Sequence, residues 1–124
     1  MISTPIEISV ASRYLDTQSN PASKRFVYAY TITIKNRGSE AAQLISRQWI
    51  ITDAKNDRQE VLGMGVVGEQ PRLEPGEEYT YTSGVIIETE TGTMEGRYQM
   101  RTDDDRVFEA PVPTFALVPP YAIH

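Results

Sequence analysis

The 124-residue sequence contains no cysteine and a single histidine, His124, which is its last residue. Without cysteine the chain can form no disulfide bond, no thiolate zinc site and no cysteine nucleophile. A histidine at a chain end, where chains are commonly frayed, is poorly placed to act as a general base or a metal ligand. No Ser-His-Asp or Cys-His arrangement can be built from an ordered pocket of this chain. We therefore expect a protein that is not an enzyme and that holds no cofactor and no metal centre.

Long apolar runs and an excess of basic residues are missing as well. No apolar run approaches the roughly 18 residues that a membrane span needs, and the first ten residues lack the basic and apolar regions of a secretory signal. The formal net charge is −5, whereas binding to nucleic-acid phosphates requires a basic surface. We expect a cytoplasmic protein with no membrane span and no nucleic-acid partner.

Apolar residues at helical spacing are also absent, and alternation with a period of two takes their place. The clearest run, residues 26–34, carries large apolar side chains at its even positions, which would all point to one face of a strand. Seven or eight such runs, separated by turn residues, are typical of a sandwich or barrel. We predict an all-β fold, an immunoglobulin-like two-sheet β-sandwich. A single domain would span residues 1–124, with a flexible tail at 119–124.

Two aromatic residues favour the sandwich. Trp49 falls on the third predicted strand, where immunoglobulin-like domains place their core tryptophan. Tyr98, two residues before Met100, matches the tyrosine that such domains bond through its hydroxyl to nearby backbone. We predict that Trp49 and Tyr98 lie in the core and that the Tyr98 hydroxyl bonds to backbone.

Arg47 and Trp49 would share one face of a regular strand, which would aim a guanidinium toward the core. Either a β-bulge between Ser46 and Gln48 separates the two side chains, or Arg47 is exposed beside the indole ring. Arginine and tryptophan dominate binding hot spots. The pair is therefore a candidate partner contact, and the alternative is a strand with one half-solvated face.

A glycine-rich segment offers a second candidate. Gly63, Gly65 and Gly68 match the GxGxxG pattern of dinucleotide-binding proteins, but that motif needs a helix after it to receive the pyrophosphate, and no helical pattern follows. The segment could bind an anion or nucleotide, close one end of the sandwich, or form a loop shaped to meet a partner protein. We favour the partner loop, extending from residue 63 to 71, with Glu69 and Gln70 as its polar contacts.

A run of three aspartates, Asp103, Asp104 and Asp105, could attract a hard divalent cation. Three successive acids on a turn cannot all converge on one ion, and no bidentate glutamate follows at EF-hand spacing. We predict a solvated turn, which leaves room only for a weak, transient cation contact.

Five segments of the chain, in order and over nearly its whole length, resemble the bacterial ApaG family. Each is too distinctive for a generic sandwich. They are SRQWIITD, GVVGEQP, LEPGE, YTYTSG and GTMEGRYQM, at residues 46–53, 65–71, 73–77, 79–84 and 92–100. Bacterial members often have histidine before the tryptophan, where this chain has Gln48, which weakens any catalytic or metal role there.

The resemblance implies a fibronectin-type-III-like sandwich. Related domains inside eukaryotic F-box proteins and a DNA-polymerase-interacting protein resemble protein-recognition modules, and bacterial members are linked to cobalt resistance and magnesium efflux with no settled molecular activity. We therefore expect a non-catalytic protein-interaction domain that acts in magnesium or cobalt homeostasis through a protein partner. The alternatives are an anion or nucleotide binder that uses the 63–68 glycines and a hydrolase that relies on carboxylates and a metal. The partner's identity and the oligomeric state, including a homo-oligomer, stay open.

Overall fold

Alternating apolar side chains in successive segments produce eight β-strands in the computed structural model, which describes residues 5–122. They are β1 (Ile6–Tyr14), β2 (Phe26–Asn36), β3 (Ala42–Asp53), β4 (Arg58–Met64), β5 (Arg72–Leu73), β6 (Glu78–Ile87), β7 (Gly92–Thr102) and β8 (Val107–Leu117). Helical structure in this part of the chain consists of 3₁₀ turns at Asp16–Gln18, Pro21–Ser23 and Pro120–Ala122. The predicted all-β class is confirmed. Among residues 5–122, no helix has the length and apolar character to cross a membrane.

The strands form two antiparallel sheets packed face to face. One sheet has the order β1-β2-β6, and the other has the order β4-β3-β7-β8 with β5 pairing to β3. On one side of the sandwich the sheet edges meet, because the Ser12 hydroxyl on β1 donates to the Ala116 carbonyl on β8 at 3.0 Å. On the other side, edge strands β4 and β6 flank the turn that follows β4. Val66 enters the core from that turn and is fully buried.

The core lies between the sheets and is rich in aromatic residues. The even positions of β2 are all buried, as the alternation predicts. Trp49 is 3% exposed and Tyr98 is fully buried, which confirms that both lie in the core. The indole ring packs edge-on against Tyr30, Tyr98 and Phe115, with ring centroids 5.5 to 6.1 Å apart. These contacts fix the position of Trp49 and therefore the position of β3.

The predicted partner of the Tyr98 hydroxyl is wrong. The hydroxyl pairs with the Tyr81 hydroxyl at 2.5 Å and not with nearby backbone. Tyr81 lies on β6 of the facing sheet and also points inward. The two side chains therefore meet across the core before either can reach a main-chain group.

The bulge in β3 lies nearer the start of the strand than predicted. Pairing with β7 skips one residue between Leu44 and Ser46, so Ile45 is the extra residue. The skip allows both Leu44 and Trp49 to point into the core, although one has an even and the other an odd number. Released from the β7 ladder, the Ile45 carbonyl accepts from the backbone N–H of Gly65 at 2.8 Å and the Gln70 side-chain amide at 2.9 Å. The bulge thus helps to hold the turn after β4.

The last strand contains two prolines, and the chain beyond it packs against the sandwich. Pro111 and Pro113 lie within β8, where they are tolerated because β8 is an edge strand. Beyond it Pro119 is buried, and the Tyr121 ring lies edge-on to Tyr14 with centroids 6.4 Å apart. The flexibility of the tail at 119–124 stays a prediction, and residues 123 and 124 lie outside the described part of the chain.

Candidate functional site

The position of the bulge decides how β3 presents Arg47. Because the extra residue precedes Ser46, the strand is regular from Ser46 to Asp53, and Arg47 shares the inward face with Trp49. Arg47 is half-buried. Its Nη1 donates to the carbonyl oxygens of Met64 at 3.1 Å and Gly65 at 2.8 Å. The guanidinium therefore ties β3 to the chain segment that leaves β4.

Gly63 belongs to strand β4 and not to the predicted loop. It pairs with Arg47 across the β3–β4 ladder, and a Cβ at this position would lie 2.8 Å from the Arg47 guanidinium. The absence of a side chain at Gly63 makes room for the guanidinium. The loop predicted from residue 63 to 71 consequently begins at Gly65.

A tight turn, residues 65–69, replaces the expected open loop. Gly65 has a φ of 63°, and a Cβ there would overlap the carbonyl oxygen of Glu69. Val66 and Glu69 exchange two backbone hydrogen bonds, each of 2.8 Å. Between them, Val67 and Gly68 have φ values of 42° and 82°, and a type I′ turn requires positive φ at both central residues. We call this segment the 65–69 turn.

Val67 is the unexpected residue of the 65–69 turn. Four non-glycine residues of the described chain have positive φ, and the other three are Lys24, Asn56 and Asp105. For a β-branched residue such a backbone is a genuine outlier, and type I′ turns strongly prefer asparagine before the glycine. The Val67 side chain is nevertheless 54% exposed. The chain thus keeps a strained valine on its surface.

Glu69 and Gln70 differ in how free their side chains are. Glu69 is exposed. The Gln70 amide donates to the Ile45 carbonyl at 2.9 Å, and the Gln70 carbonyl accepts from the Gln43 side chain at 3.0 Å. Of the two polar contacts predicted, Gln70 holds the loop to β3, while Glu69 faces solvent. Their role as partner contacts stays a prediction.

A small cavity of about 250 Å³ lies beneath the 65–69 turn, between the two sheets. Its polar lining comes from Tyr30, Arg47, Trp49, Tyr81 and Ser83, and none of its lining residues is acidic. The indole Nε1 of Trp49 is buried and has no hydrogen-bond partner among the described residues. We call this space the Arg47 cavity.

Burial keeps the neighbouring tyrosines protonated. Desolvation raises the pKa of Tyr81 and of Tyr98 well above the ordinary tyrosine range. Both hydroxyls are therefore neutral not only at physiological pH, where an ordinary tyrosine is also protonated, but well into the alkaline range. The polar part of the cavity wall thus consists of neutral groups that can donate and one cation, Arg47.

Three of the five amides of the 65–69 turn are already occupied. The N–H groups of Gly65, Val66 and Glu69 donate to backbone carbonyl oxygens, and strand β5 follows the turn where a dinucleotide-binding motif needs a helix. This arrangement offers a phosphate few free amides.

The three aspartates of the turn after β7 point to different arginines. Asp103 binds Arg72 at 2.5 Å and Asp104 binds Arg106 at 2.9 Å. Hydrogen bonds from Arg72 to Asp103, and from Thr102 and Arg106 to Asp104, lower the pKa of both carboxyls. Within residues 5–122 no group of three or more acidic or histidine side chains could hold a metal ion. A weak cation contact at this turn stays a prediction.

Sequence reasoning gave the Arg47/Trp49 pair and the glycine segment as two separate candidates, and the structure places them together. It missed Tyr81 and Ser83, which reach the cavity from the other sheet, because their contact with β3 depends on the packing of distant strands. The unusual position of Val67 could have been predicted from the sequence. A Val-Gly pair at the tip of a two-residue turn departs from the Asn-Gly that such turns prefer.

Comparison with known proteins relates this chain to one bacterial family. The family model of the ApaG domain matches residues 16–102. A protein named ApaG from Thiobacillus denitrificans is 55% identical and one from Azoarcus sp. is 51% identical; each match covers 96% of this chain and 94% of the relative. A crystal structure of a Bordetella pertussis protein, described as ApaA, superposes with a TM-score of 0.91 at 46% identity and covers 96% of this chain and 98% of that one. The chain therefore belongs to the ApaG family.

Proposed function

We propose that this chain is a non-catalytic protein-interaction domain of the cytoplasm and that the 65–69 turn with its flanks forms the binding surface. The observation that carries the proposal is Val67. Its left-handed backbone costs stability, since this conformation is unfavourable by about 1–2 kcal/mol for L-residues other than glycine. Strain of this kind tends to persist at functional sites. An exposed valine in a strained turn gives the fold nothing that asparagine would not give better.

Apolar exposure around Val67 supports the proposal. Leu62 and Met64 on β4 are 69% and 68% exposed. Together with Val67 they make three of the six large apolar side chains that are exposed in the described chain. Concentrated apolar exposure is typical of interaction sites, whereas scattered single residues are not. We call these three residues the apolar rim.

The anchoring of the turn supports the proposal further. Arg47 holds the carbonyls at its entry and Gln70 bonds to the β3 bulge at its exit. A segment fixed before binding loses little conformational entropy when a partner docks. The surface is therefore prepared for a partner that contacts apolar side chains.

The variant Val67→Asn separates binding from folding. It creates the Asn-Gly pair of a type I′ turn and should raise the free energy of unfolding by about 1 kcal/mol, because asparagine tolerates this backbone. Denaturant unfolding measures that gain. Immobilised wild-type chain should recover a stoichiometric protein from a lysate of the source organism, and the Val67→Asn chain should not. The control is Val107→Asn, which removes an equally exposed valine on β8 and should recover the same protein. Equal recovery by Val67→Asn and wild type would contradict the proposal.

Any part in magnesium or cobalt homeostasis would then be indirect, through the partner. In support, residues 5–122 contain no group of acidic or histidine side chains suited to a metal. Calorimetric titration with Mg²⁺ or Co²⁺ should give no saturable heat, and a saturable heat would contradict an indirect role.

The partner could also be a second copy of this chain, in which case the apolar rims of two copies would meet in a homo-oligomer. Sedimentation of the isolated chain would then show a dimer that Val67→Asn dissociates.

A further inference from the structure

Arg47 is a half-buried cation without an acidic neighbour. Five other arginines form ion pairs with exposed carboxylates, namely Arg37, Arg72, Arg97, Arg101 and Arg106. Arg47 has no such pair among the described residues, although it is less exposed than they are. Its Nη1 serves two carbonyl oxygens, which leaves the N–H groups of Nε and Nη2. A partly buried charge without a counter-ion is incompletely compensated, so this position favours an anion.

The unpaired indole N–H of Trp49 lies on the same side of the core. A Cβ added to Gly96 on β7 would lie 2.7 Å from the indole Cε3, so the benzo edge of the ring faces β7. The pyrrole edge, which carries Nε1, consequently faces β4 and the 65–69 turn. A buried donor without an acceptor lowers stability. Because Nε1 is itself shielded from solvent, the indole ring borders the Arg47 cavity as a reporter of its occupancy and is not counted among the donors that face it.

The tyrosine pair supplies a further donor. Tyr98 is fully buried, and its hydroxyl contacts the Tyr81 hydroxyl. If Tyr98 donates this bond, the Tyr81 proton is left free, and Tyr81 lines the Arg47 cavity. The hydroxyls of Tyr30 and Ser83, which also line the cavity, can each donate as well. Donors therefore surround a space that contains no acidic residue.

We propose that the Arg47 cavity binds a carboxylate, supplied by an aspartate or glutamate side chain of the protein partner. The inference rests on the proposed function, because the apolar rim supplies the surface on which the partner docks. A guanidinium recognises a carboxylate through two parallel N–H groups. Met64 and Val67 border the cavity and would contact the apolar neighbours of the acidic residue. The carboxylate is favoured over phosphate because three of the five turn amides, those of Gly65, Val66 and Glu69, already donate to backbone carbonyls, which leaves a phosphate few main-chain donors.

The single tryptophan allows a direct test with sodium acetate as the probe. The indole N–H gives one cross-peak in a ¹⁵N-correlated spectrum, and acetate replaces chloride at constant ionic strength. We expect a saturable shift of the indole peak. Arg47→Gln should weaken acetate binding by about tenfold or more, as expected for the loss of a hydrogen bond to a charged group. The matched control is Arg97→Gln, which removes an exposed arginine bound to Glu109 at 3.0 Å and should bind acetate like wild type.

A second variant is needed because Arg47→Gln also removes the hydrogen bonds that Arg47 donates to the Met64 and Gly65 carbonyls. Tyr81→Phe removes one cavity donor without touching the bonds of Arg47 and should also weaken acetate binding. The proposal is overturned if the wild-type indole peak does not shift saturably, or if both variants respond like wild type. Inorganic phosphate binding more tightly than acetate would overturn the assignment to a carboxylate.

Failure of this inference can be told from failure of the proposed function. If acetate does not bind but Val67→Asn loses the partner, the cavity assignment is wrong and the interaction surface stands. If acetate binds but Val67→Asn recovers the partner, the proposed surface is wrong. If acetate binds and Arg47→Gln still recovers the partner at wild-type levels, the carboxylate does not come from the partner, and the inference fails.

Discussion

The acidic turn after β7 and the Arg47 cavity handle charge in opposite ways. At the turn, the side chains of Arg72 and Arg106 are exposed to solvent and bind the carboxylates of Asp103 and Asp104, respectively. In the cavity, Arg47 is half-buried and has only carbonyl oxygens as partners. Exposed ion pairs contribute little to stability, whereas unpaired buried donors reduce it. The turn thus neutralises its charges within the chain, whereas the cavity leaves the charge of Arg47 without a counter-ion among the described residues.

The largest expected effect concerns the wall that the cavity shares with the core. Trp49→Ala should lower the free energy of unfolding by about 3–5 kcal/mol, because it removes a buried aromatic side chain and leaves a hole. Leu62→Ala is the control. Leu62 is a large apolar residue of the adjacent strand, but it is exposed, so little should be lost. Urea unfolding of both variants measures the difference, and similar losses would show that Trp49 is not a core residue.

A smaller effect distinguishes two glycines of the 65–69 turn. Gly65→Ala should cost about 3 kcal/mol, since it adds a clash with the Glu69 carbonyl to the 1–2 kcal/mol of a left-handed backbone. Gly68→Ala should cost about 1 kcal/mol, because its φ is also positive but nothing lies within 4 Å of the added Cβ. Thermal unfolding at neutral pH compares the two. Equal costs would mean that the turn shifts to accept a side chain at Gly65.

The tyrosine pair predicts a loss of stability at alkaline pH. Burial raises the pKa of Tyr98 in the folded chain, so its contribution is fully present below the unfolded tyrosine pKa of about 10 and is lost as pH rises beyond it. Tyr98→Phe should cost about 1 kcal/mol at pH 7. Above about pH 10, the free energy of unfolding of the Tyr98→Phe variant should then fall less steeply than that of the wild type. Parallel curves for the two proteins would show that Tyr98 does not govern the alkaline transition.

Local sequence patterns predicted the strands well but did not predict the contacts between the two sheets. The alternation in β2 identifies a buried face because side-chain direction in a strand depends only on the neighbouring residues. The bulge at Ile45 could not be placed in this way. Its position depends on pairing with β7 and on the hydrogen bonds that the Ile45 carbonyl accepts from the Gly65 N–H and the Gln70 side-chain amide. The Tyr81–Tyr98 pair likewise joins residues of different sheets. Arg47 and Trp49 were identified as candidates from residue type, but the donors that complete the cavity required the fold.

The smallest expected effect is at the acidic turn, and it tests the other half of the comparison. The pKa of Asp103 is lowered by its hydrogen bonds from Arg72. Any stabilisation from this pair is therefore present above the ordinary aspartate pKa of about 3.9 and is lost as pH falls through the lower folded value. Both side chains are exposed, so at neutral pH and physiological salt Arg72→Gln should leave the melting temperature almost unchanged. The variant should also leave the response of the Trp49 indole peak to acetate intact. A loss of stability in Arg72→Gln greater than that in Tyr98→Phe would mean that the surface pairs hold the fold together, and the contrast between the two regions would fail.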